Sequence, residues 1–396
     1  MKRLVIVSLA VILVCVMLLV GCSSATTTKA PTTTAAPTTT KAPTTTAAPT
    51  TTAAPTTSAA PTTTAAPTTS APPAKVINLK YSHEQALTSY YSMYGHVPYA
   101  QAIEKATNGA VKVTIYDSQT LVKSQQLFEG VKAGTADMGW LFTGYYPNQF
   151  SYVEASTLPF VFPSAAVGGK VTWQIYNKYP EVQAQFKDVK VLGIWTTEPY
   201  FIVSHTKFYK TVADFANQKI RIPGGPPTDF IKAMGASPLS MGMPDVYMNL
   251  KNGVFDAAPV PAEAYMGFKI YEVAPFVTYV PTVAMVHAII INNDTWNSIP
   301  KNVQDQIMSV SGETLSVQMS GGVFDKARSD MKDTISKAGT TLQEYTVPAD
   351  EQAKWIDLAA KPVWASWVAA QKAKGLTNAQ AILDDTLALS KQYGPK

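Results

Sequence analysis

From Ser23 to Lys75 the sequence is threonine, alanine and proline with a few serines and three lysines, and the prolines at 31, 37, 43, 49, 55, 61 and 67 recur every six residues. A segment with so little to bury cannot offset the entropy of ordering itself, so it predicts an extended stalk rather than part of a core. At about 3.1 Å per residue in a polyproline-like chain, it reaches roughly 160 Å. Everything that folds must therefore lie beyond residue 75. That remainder is long enough for a sizeable core.

Ahead of the stalk, Lys2 and Arg3 precede an uncharged apolar run from Leu4 to Val20 that ends in Leu19-Val20-Gly21-Cys22. This reads as an export signal, residues 1-21, with a lipidation site at Cys22. The competing reading is an uncleaved membrane helix, since the run approaches spanning length. Small Gly21 before Cys22, and Ser23 and Ser24 after it, favour lipidation. The chain has two cysteines, and Cys15 leaves with the signal. No disulfide and no cysteine-based metal site is then available to the mature protein.

Five of the 32 basic residues (Lys2, Arg3, Lys29, Lys41 and Lys75) and none of the 27 acids lie in residues 1-75. The folded part is neutral. It lacks the basic footprint that nucleic-acid binders carry, so that class of partner is excluded.

Beyond the stalk, alternating runs at 77-81 and 111-116 read as strands, and 99-107 and 124-133 read as helices. Asn108-Gly109 supplies a left-handed helix cap. Strands alternating with helices indicate an α/β fold with helices on both faces of a sheet. Trp355, Trp364 and Trp367 recur at near-helical spacing and read as a packing face.

No catalytic constellation is visible. His83-Glu84 begins like a zinc-protease motif, but Leu87 stands where its second histidine would be. Gly168-Gly169-Lys170 lacks the upstream glycine and the following hydroxyl residue of a phosphate loop, and no nucleophile-elbow pattern occurs. The four histidines, at 83, 96, 205 and 287, have no metal spacing, and His287 in its apolar strand reads as a core residue. Neither enzyme, cofactor nor metal is expected.

Arg221 stands out in Lys219-Ile220-Arg221-Ile222-Pro223-Gly224-Gly225, at the end of a β-branched run just before a chain break. A guanidinium there presents a planar fork to a carboxylate. After it come Gly235-Ala236-Ser237-Pro238-Leu239-Ser240-Met241 and Asp245-Val246-Tyr247-Met248-Asn249-Leu250-Lys251-Asn252-Gly253-Val254-Phe255-Asp256. This order resembles the substrate-binding proteins of TRAP transporters, the DctP-like family. Leu121 to Met138 is similar to that family's QL, helix, GxxDM signature, Leu158 to Phe162 to its LPF turn, Leu192-Gly193-Ile194-Trp195 to its LG-x-W strand, and Asn292 to Pro300 to the start of its late helix. Together the motifs cover roughly residues 76 to 390.

The resemblance implies a two-lobed α/β fold of the periplasmic-binding-protein kind, with two doubly wound sheets, hinge strands near Tyr200-Ser204 and Val286-Ile291, and a ligand cleft between the lobes. Lobe I is expected at 76-198 and 288-325, and lobe II at 199-287 and 326-396. It implies an extracytoplasmic receptor that closes on an organic acid and hands it to membrane permease subunits, with Arg221 pairing the carboxylate.

Other matched positions depart from the family's pattern. The second arginine of sialic-acid and dicarboxylate receptors falls at Tyr200. The polar groups after GxxDM become Trp140, Phe142 and Tyr145. Their amide contact becomes Val260, between Pro259 and Pro261, and the residue packing on the ligand, often Phe, is Met243. The acid and tryptophan that accompany a bridging metal are missing from Asp256-Ala257-Ala258-Pro259, and Glu263, the nearest acid, reads as solvated. A second buried substrate carboxylate would lack its partner, which favours a monocarboxylate with an apolar or aromatic body. Two alternatives stay open: that these aromatics only fill the lobe I core, and that the chain is a stalked surface adhesin retaining the fold without transport.

Overall fold

The structure is a computed structural model that describes residues 76-146 and 148-395. The export signal, Cys22 and the stalk lie outside the described residues. Within them, eleven strands form two sheets: β1 (Ile77–Ser82), β2 (Val111–Tyr116), β3 (Met138–Phe142), β4 (Val189–Thr196), β5 (Phe201–Ser204), β6 (Lys219–Ile222), β7 (Ser237–Ser240), β8 (Ala257–Val260), β9 (Phe276–Tyr279), β10 (Val286–Asn292) and β11 (Gln343–Thr346). The first sheet has the order β2-β1-β3-β10-β4 and the second β11-β9-β5-β8-β6-β7.

Each sheet mixes parallel and antiparallel pairs. β1 runs parallel to β2 and β3, while β10 returns antiparallel between β3 and β4. All seven residues of β10 are buried, as a strand covered on both faces requires, and its Val-His-Ala-Ile-Ile-Ile run supplies the β-branched bulk. In the second sheet β5 lies antiparallel to β8 and β9, and β6 parallel to β7 and β8.

The strands expected to cross between lobes each stay in one sheet. The chain crosses at the short junctions 197-200 and 280-285, which bond to each other: Thr197 donates its backbone N–H to Met285 O at 3.0 Å, and Tyr200 to Val283 O at 2.7 Å. The Thr282 and Thr197 hydroxyls tie the same two junctions, to Tyr200 O at 2.7 Å and from Met285 N at 3.0 Å. These two connections therefore act as one paired ribbon; the chain crosses again between the Gly312–Ser320 helix and β11, and returns with Ala379–Tyr393.

Helices follow where the sequence pattern put them, with adjusted ends. Val97–Ala106 ends at Asn108 and Gly109, both with positive φ, and Gly109 N–H bonds Glu104 O at 2.8 Å. The second helix is shorter than its pattern, a 3-10 turn over Ser124–Gln126 followed by Leu127–Lys132. The Gly168-Gly169 pair serves packing. The Ala165–Lys178 helix lies flush on β4 and on the Gly312–Ser320 helix, where an added Cβ at Gly168 would sit 1.9 Å from Thr196 Oγ1. One at Gly169 would sit 2.1 Å from Ser320 Oγ and 2.6 Å from Ser316 O. Because that last neighbour is helix backbone, it cannot rotate away. Gly169→Ala is expected to destabilise the protein by about 1–3 kcal/mol or more, read as a melting temperature several degrees lower. An unchanged melting temperature would show that the two helices separate freely.

The C-terminal helix differs from its expected place. Residues 326-396 were expected with lobe II, yet Ala379–Tyr393 packs on the Ala165–Lys178 helix beside the first sheet. Ser390 Oγ donates to Val161 O at 2.6 Å, and Lys178 pairs with Asp385 at 2.5 Å. An amphipathic pattern shows that a face is buried, not which surface buries it. Trp355 and Trp367 lie in the largest apolar cluster with Trp364 packed against it, so the tryptophan stripe is a packing face.

Candidate ligand-binding site

Where the two sheets face each other across the crossing ribbon, a cavity is lined from both sides. The first sheet contributes Trp140 and Phe142 from the end of β3, Glu84 and Gln85 just past the end of β1, and His287 from β10. Arg221 from β6, Met243, Pro261 and Glu263 come from the second. Strand ends meeting at a crevice are where open α/β sheets bind ligands. The cavity is small, about 40 Å3, so its occupant is compact or enters with the sheets further apart.

Arg221 is 1% exposed. Its Nε and Nη2 both donate to Met241 O, at 3.0 and 2.7 Å, and that shared carbonyl fixes the plane of the guanidinium. Among the described residues Nη1 is buried with no partner. Burial lowers the pKa of this group, and the nearby Tyr200, Tyr145, Glu84 and Asp245 oppose that shift. A buried donor left unmade costs about 1–3 kcal/mol, more when charged. The orphaned Nη1 therefore marks a place for an acceptor. The Pro223-Gly224-Gly225 break keeps the chain clear of it: Gly224 and Gly225 have φ of 127° and 68°, values that favour glycine.

The walls around Arg221 are aromatic. Trp140 and Phe142 stack with centroids 6.4 Å apart, and Tyr145 meets Phe142 edge-on at 4.6 Å. Trp140, Phe142 and Tyr200 also belong to the apolar cluster of the first sheet. They fill the core and line the cavity at once, so the two readings of these aromatics are not exclusive. Tyr145 donates to Glu84 Oε2 at 3.4 Å. Burial raises the Glu84 pKa, and the hydrogen bond from Tyr145 with the charge of Arg221 pulls the other way.

Six of the seven expected ligand residues, Arg221, Tyr200, Trp140, Phe142, Tyr145 and Met243, line the cavity. Val260 does not. It is buried in the core of the second sheet, and Pro261, the first residue past the end of β8, faces the cavity instead. Glu84, Glu263 and His287 are among the lining residues that the sequence does not mark as ligand contacts. Glu84 belongs to the His83-Glu84 pair that fails as a zinc motif. Glu263, expected in solvent, is 5% exposed and pushed up to about 8 by burial and by Glu84. His287, read as core, is indeed buried, and it also borders the cavity. Among the described residues no group of three or more His, Cys, Asp or Glu is placed to hold a metal, and no helix is long and apolar enough to cross a membrane.

Two mixed sheets flanked by helices, a doubled crossing and a cavity between them, with a buried half-free arginine, define a solute receptor of the two-lobed type. The family model for bacterial extracellular solute-binding proteins, family 7 (DctP), matches residues 82–371, and the chain belongs to that family. It is 26% identical over 287 residues to the C4-dicarboxylate-binding periplasmic protein DctP of Rhodobacter capsulatus, covering 72% of this chain and 85% of that one. A TRAP periplasmic solute binding protein of Bordetella bronchiseptica, solved with bound (R)- and (S)-mandelate, is 27% identical with a TM-score of 0.73, covering 80% of this chain and 100% of that one. A TRAP solute binding protein of Rhodoferax ferrireducens, solved with copurified benzoate, superposes with a TM-score of 0.75 at 23% identity, over 80% of this chain and 98% of that one.

Proposed function

We propose that this protein is the receptor of a TRAP-type transporter for an aromatic monocarboxylate, held by its carboxylate on Arg221 and by its ring against Trp140, Phe142 and Tyr145. The observation that carries this reading is the buried Arg221 Nη1 without an acceptor, in a cavity whose walls are aromatic. A carboxylate satisfies that donor with a charge-assisted bond, and rings stack with geometry that adds about 0.5–1.5 kcal/mol per pair beyond area burial. The mandelate-binding relative supports an aromatic acid.

The dicarboxylate-binding relative raises the rival substrate class, and Tyr200 argues against it. Tyr200 is 4% exposed, and burial keeps its phenol protonated, so it offers a neutral group where a second carboxylate needs a cation. With Glu84 and Glu263 already in the cavity, a second ligand charge meets two acids and one arginine.

In this reading the closed form is presented to a membrane permease, Cys22 carries the lipid that anchors the chain outside the cytoplasm, the stalk spaces the receptor from the membrane, and the bound acid leaves unchanged. Closure needs only a tighter grip on the ligand in the closed state.

Calorimetry of the full chain at pH 7 tests it. Mandelate or benzoate is expected to bind at least tenfold tighter than succinate, and Tyr200→Arg is expected to narrow or reverse that ratio. Succinate binding as tightly as either aromatic acid would overturn the reading.

A further inference from the structure

Besides Arg221, the cavity lining holds a second polar cluster. It is built around Tyr91, whose hydroxyl lies 3.0 Å from Trp140 Nε1, 3.1 Å from Trp195 Nε1 and 3.2 Å from His287 Nδ1. An indole N–H can only donate, so two donors occupy the acceptor side of the Tyr91 oxygen. Its own proton then goes to His287 Nδ1. This fixes the tautomer: Nδ1 accepts, and the ring proton sits on Nε2. No protein partner reaches Nε2 among the described residues, and the ring borders the cavity. Burial pushes His287 down to about 3, so the ring stays neutral.

Glu263 also lines the cavity and lies near Tyr91. Its carboxyl is buried and finds no cation among the groups that act on it. At neutral pH it is largely protonated, which leaves a carbonyl oxygen free to accept.

We propose that His287 and Glu263 form a second recognition point that takes a hydroxyl group on the bound aromatic acid, the His287 Nε2–H donating to the hydroxyl oxygen and the hydroxyl donating to the Glu263 carbonyl oxygen. The inference rests on the aromatic-acid reading above. A hydroxyl is the small group that accepts and donates at one atom. An ammonium would face the His287 N–H donor to donor, and a carboxylate would bring a second buried charge to a place where no cation acts on Glu263. A bare ring would bury the histidine N–H unpaired, which is how sites built for a hydroxyl discriminate against the analogue lacking it.

The test is calorimetry of the full chain at pH 7 with benzoate, 3-hydroxybenzoate and 4-hydroxybenzoate. At least one hydroxybenzoate is expected to bind about tenfold or more tighter than benzoate. That ratio should fall toward one in His287→Phe and in Glu263→Leu, and persist in Glu263→Gln, which keeps a neutral carbonyl. Equal affinities for all three acids in the parent, or an undiminished ratio in both His287→Phe and Glu263→Leu, would overturn the second recognition point while the carboxylate site stands. Should either variant fail to fold by its melting profile, loss of the ratio in Glu263→Gln would also overturn it. Failure of the parent to bind any of the three acids would remove the aromatic-acid reading, and this inference with it.

Discussion

Arg221→Met is expected to lower affinity for an aromatic carboxylate by on the order of a thousandfold while changing the stability of the ligand-free protein little. The two effects separate because the arginine does different things in the two states. With ligand bound, removing it leaves a carboxylate buried without its cation, and breaking a buried pair costs about 3–5 kcal/mol, where 1.4 kcal/mol is tenfold in affinity. Without ligand, the guanidinium is desolvated, its Nη1 is unpartnered, and both of its bonds go to one carbonyl. Methionine removes the uncompensated charge, which favours the variant, and orphans Met241 O, which opposes it by about 1–3 kcal/mol. These terms are similar in size and opposite in sign.

Arg221→Lys separates charge from shape. It keeps a cation but loses the planar fork that lets two nitrogens hold Met241 O while the third reaches the ligand, so an intermediate loss of about ten- to a hundredfold is expected. Calorimetry and thermal melts of the three proteins decide. Tight binding by Arg221→Met would remove Arg221 as the anchor, whereas collapse of its ligand-free fold would make the arginine structural.

Arg221 was legible in the sequence because its signal is local: a β-branched strand, a single charge and a Pro-Gly-Gly break, in a recognisable order of motifs. The aromatic wall followed from the same order. Glu263 and His287 were not legible, because each looks ordinary among its neighbours. Pro-Ala-Glu-Ala-Tyr resembles the first turn of a surface helix, and Val-His-Ala-Ile-Ile-Ile resembles a core strand with one satisfied histidine. What makes them part of a site is that β10 and the start of the Ala262–Gly267 helix meet at Tyr91, about 170 to 200 residues earlier in the chain. Val260 failed for a narrower reason. Motif alignment placed it to within one residue, and at the end of β8 one residue is the difference between the cavity and the core.

The same burial that shapes the cavity makes the protein sensitive to acid, and a second large effect is expected there: a steep fall in melting temperature below about pH 4.5, relieved by His83→Phe. Three histidines lie in a buried column. His83 stacks on His96 with centroids 4.2 Å apart, and His96 stacks on Tyr91 at 4.6 Å. His96 takes Tyr81 at Nδ1 and Gln85 at Nε2, an arrangement for a neutral ring. Burial lowers His83 to about 4 and His287 to about 3, and it depresses His96 as well. Between the ordinary value of 6.5 and those folded values the unfolded chain binds more protons than the folded one, so stability falls as pH falls through that window. Glu198 and Glu263 act with the opposite sign. Raised to about 8 by burial, they add stability that is complete below their ordinary 4.5 and is lost as pH rises through 8.

From pH 8 down to 6.5 the two glutamic acids act without the histidines, and the melting temperature should rise. From 6.5 to 4.5 the two sets offset each other. Below 4.5 the glutamic acids have no more to give. Each histidine still neutral in the fold then costs about 1.36 kcal/mol for every further drop of one in pH, a large fraction of a total stability of about 5–15 kcal/mol. His83 is the position where the effect can be isolated, because neither of its ring nitrogens has a hydrogen-bond partner although the residue is 1% exposed. Phenylalanine keeps the stack on His96 and removes the site that must stay unprotonated. Its melting temperature is expected to match or exceed the parent's at pH 7 and to exceed it by several degrees at pH 4.5. A variant whose pH profile ran parallel to the parent's would show that His83 does not titrate with unfolding.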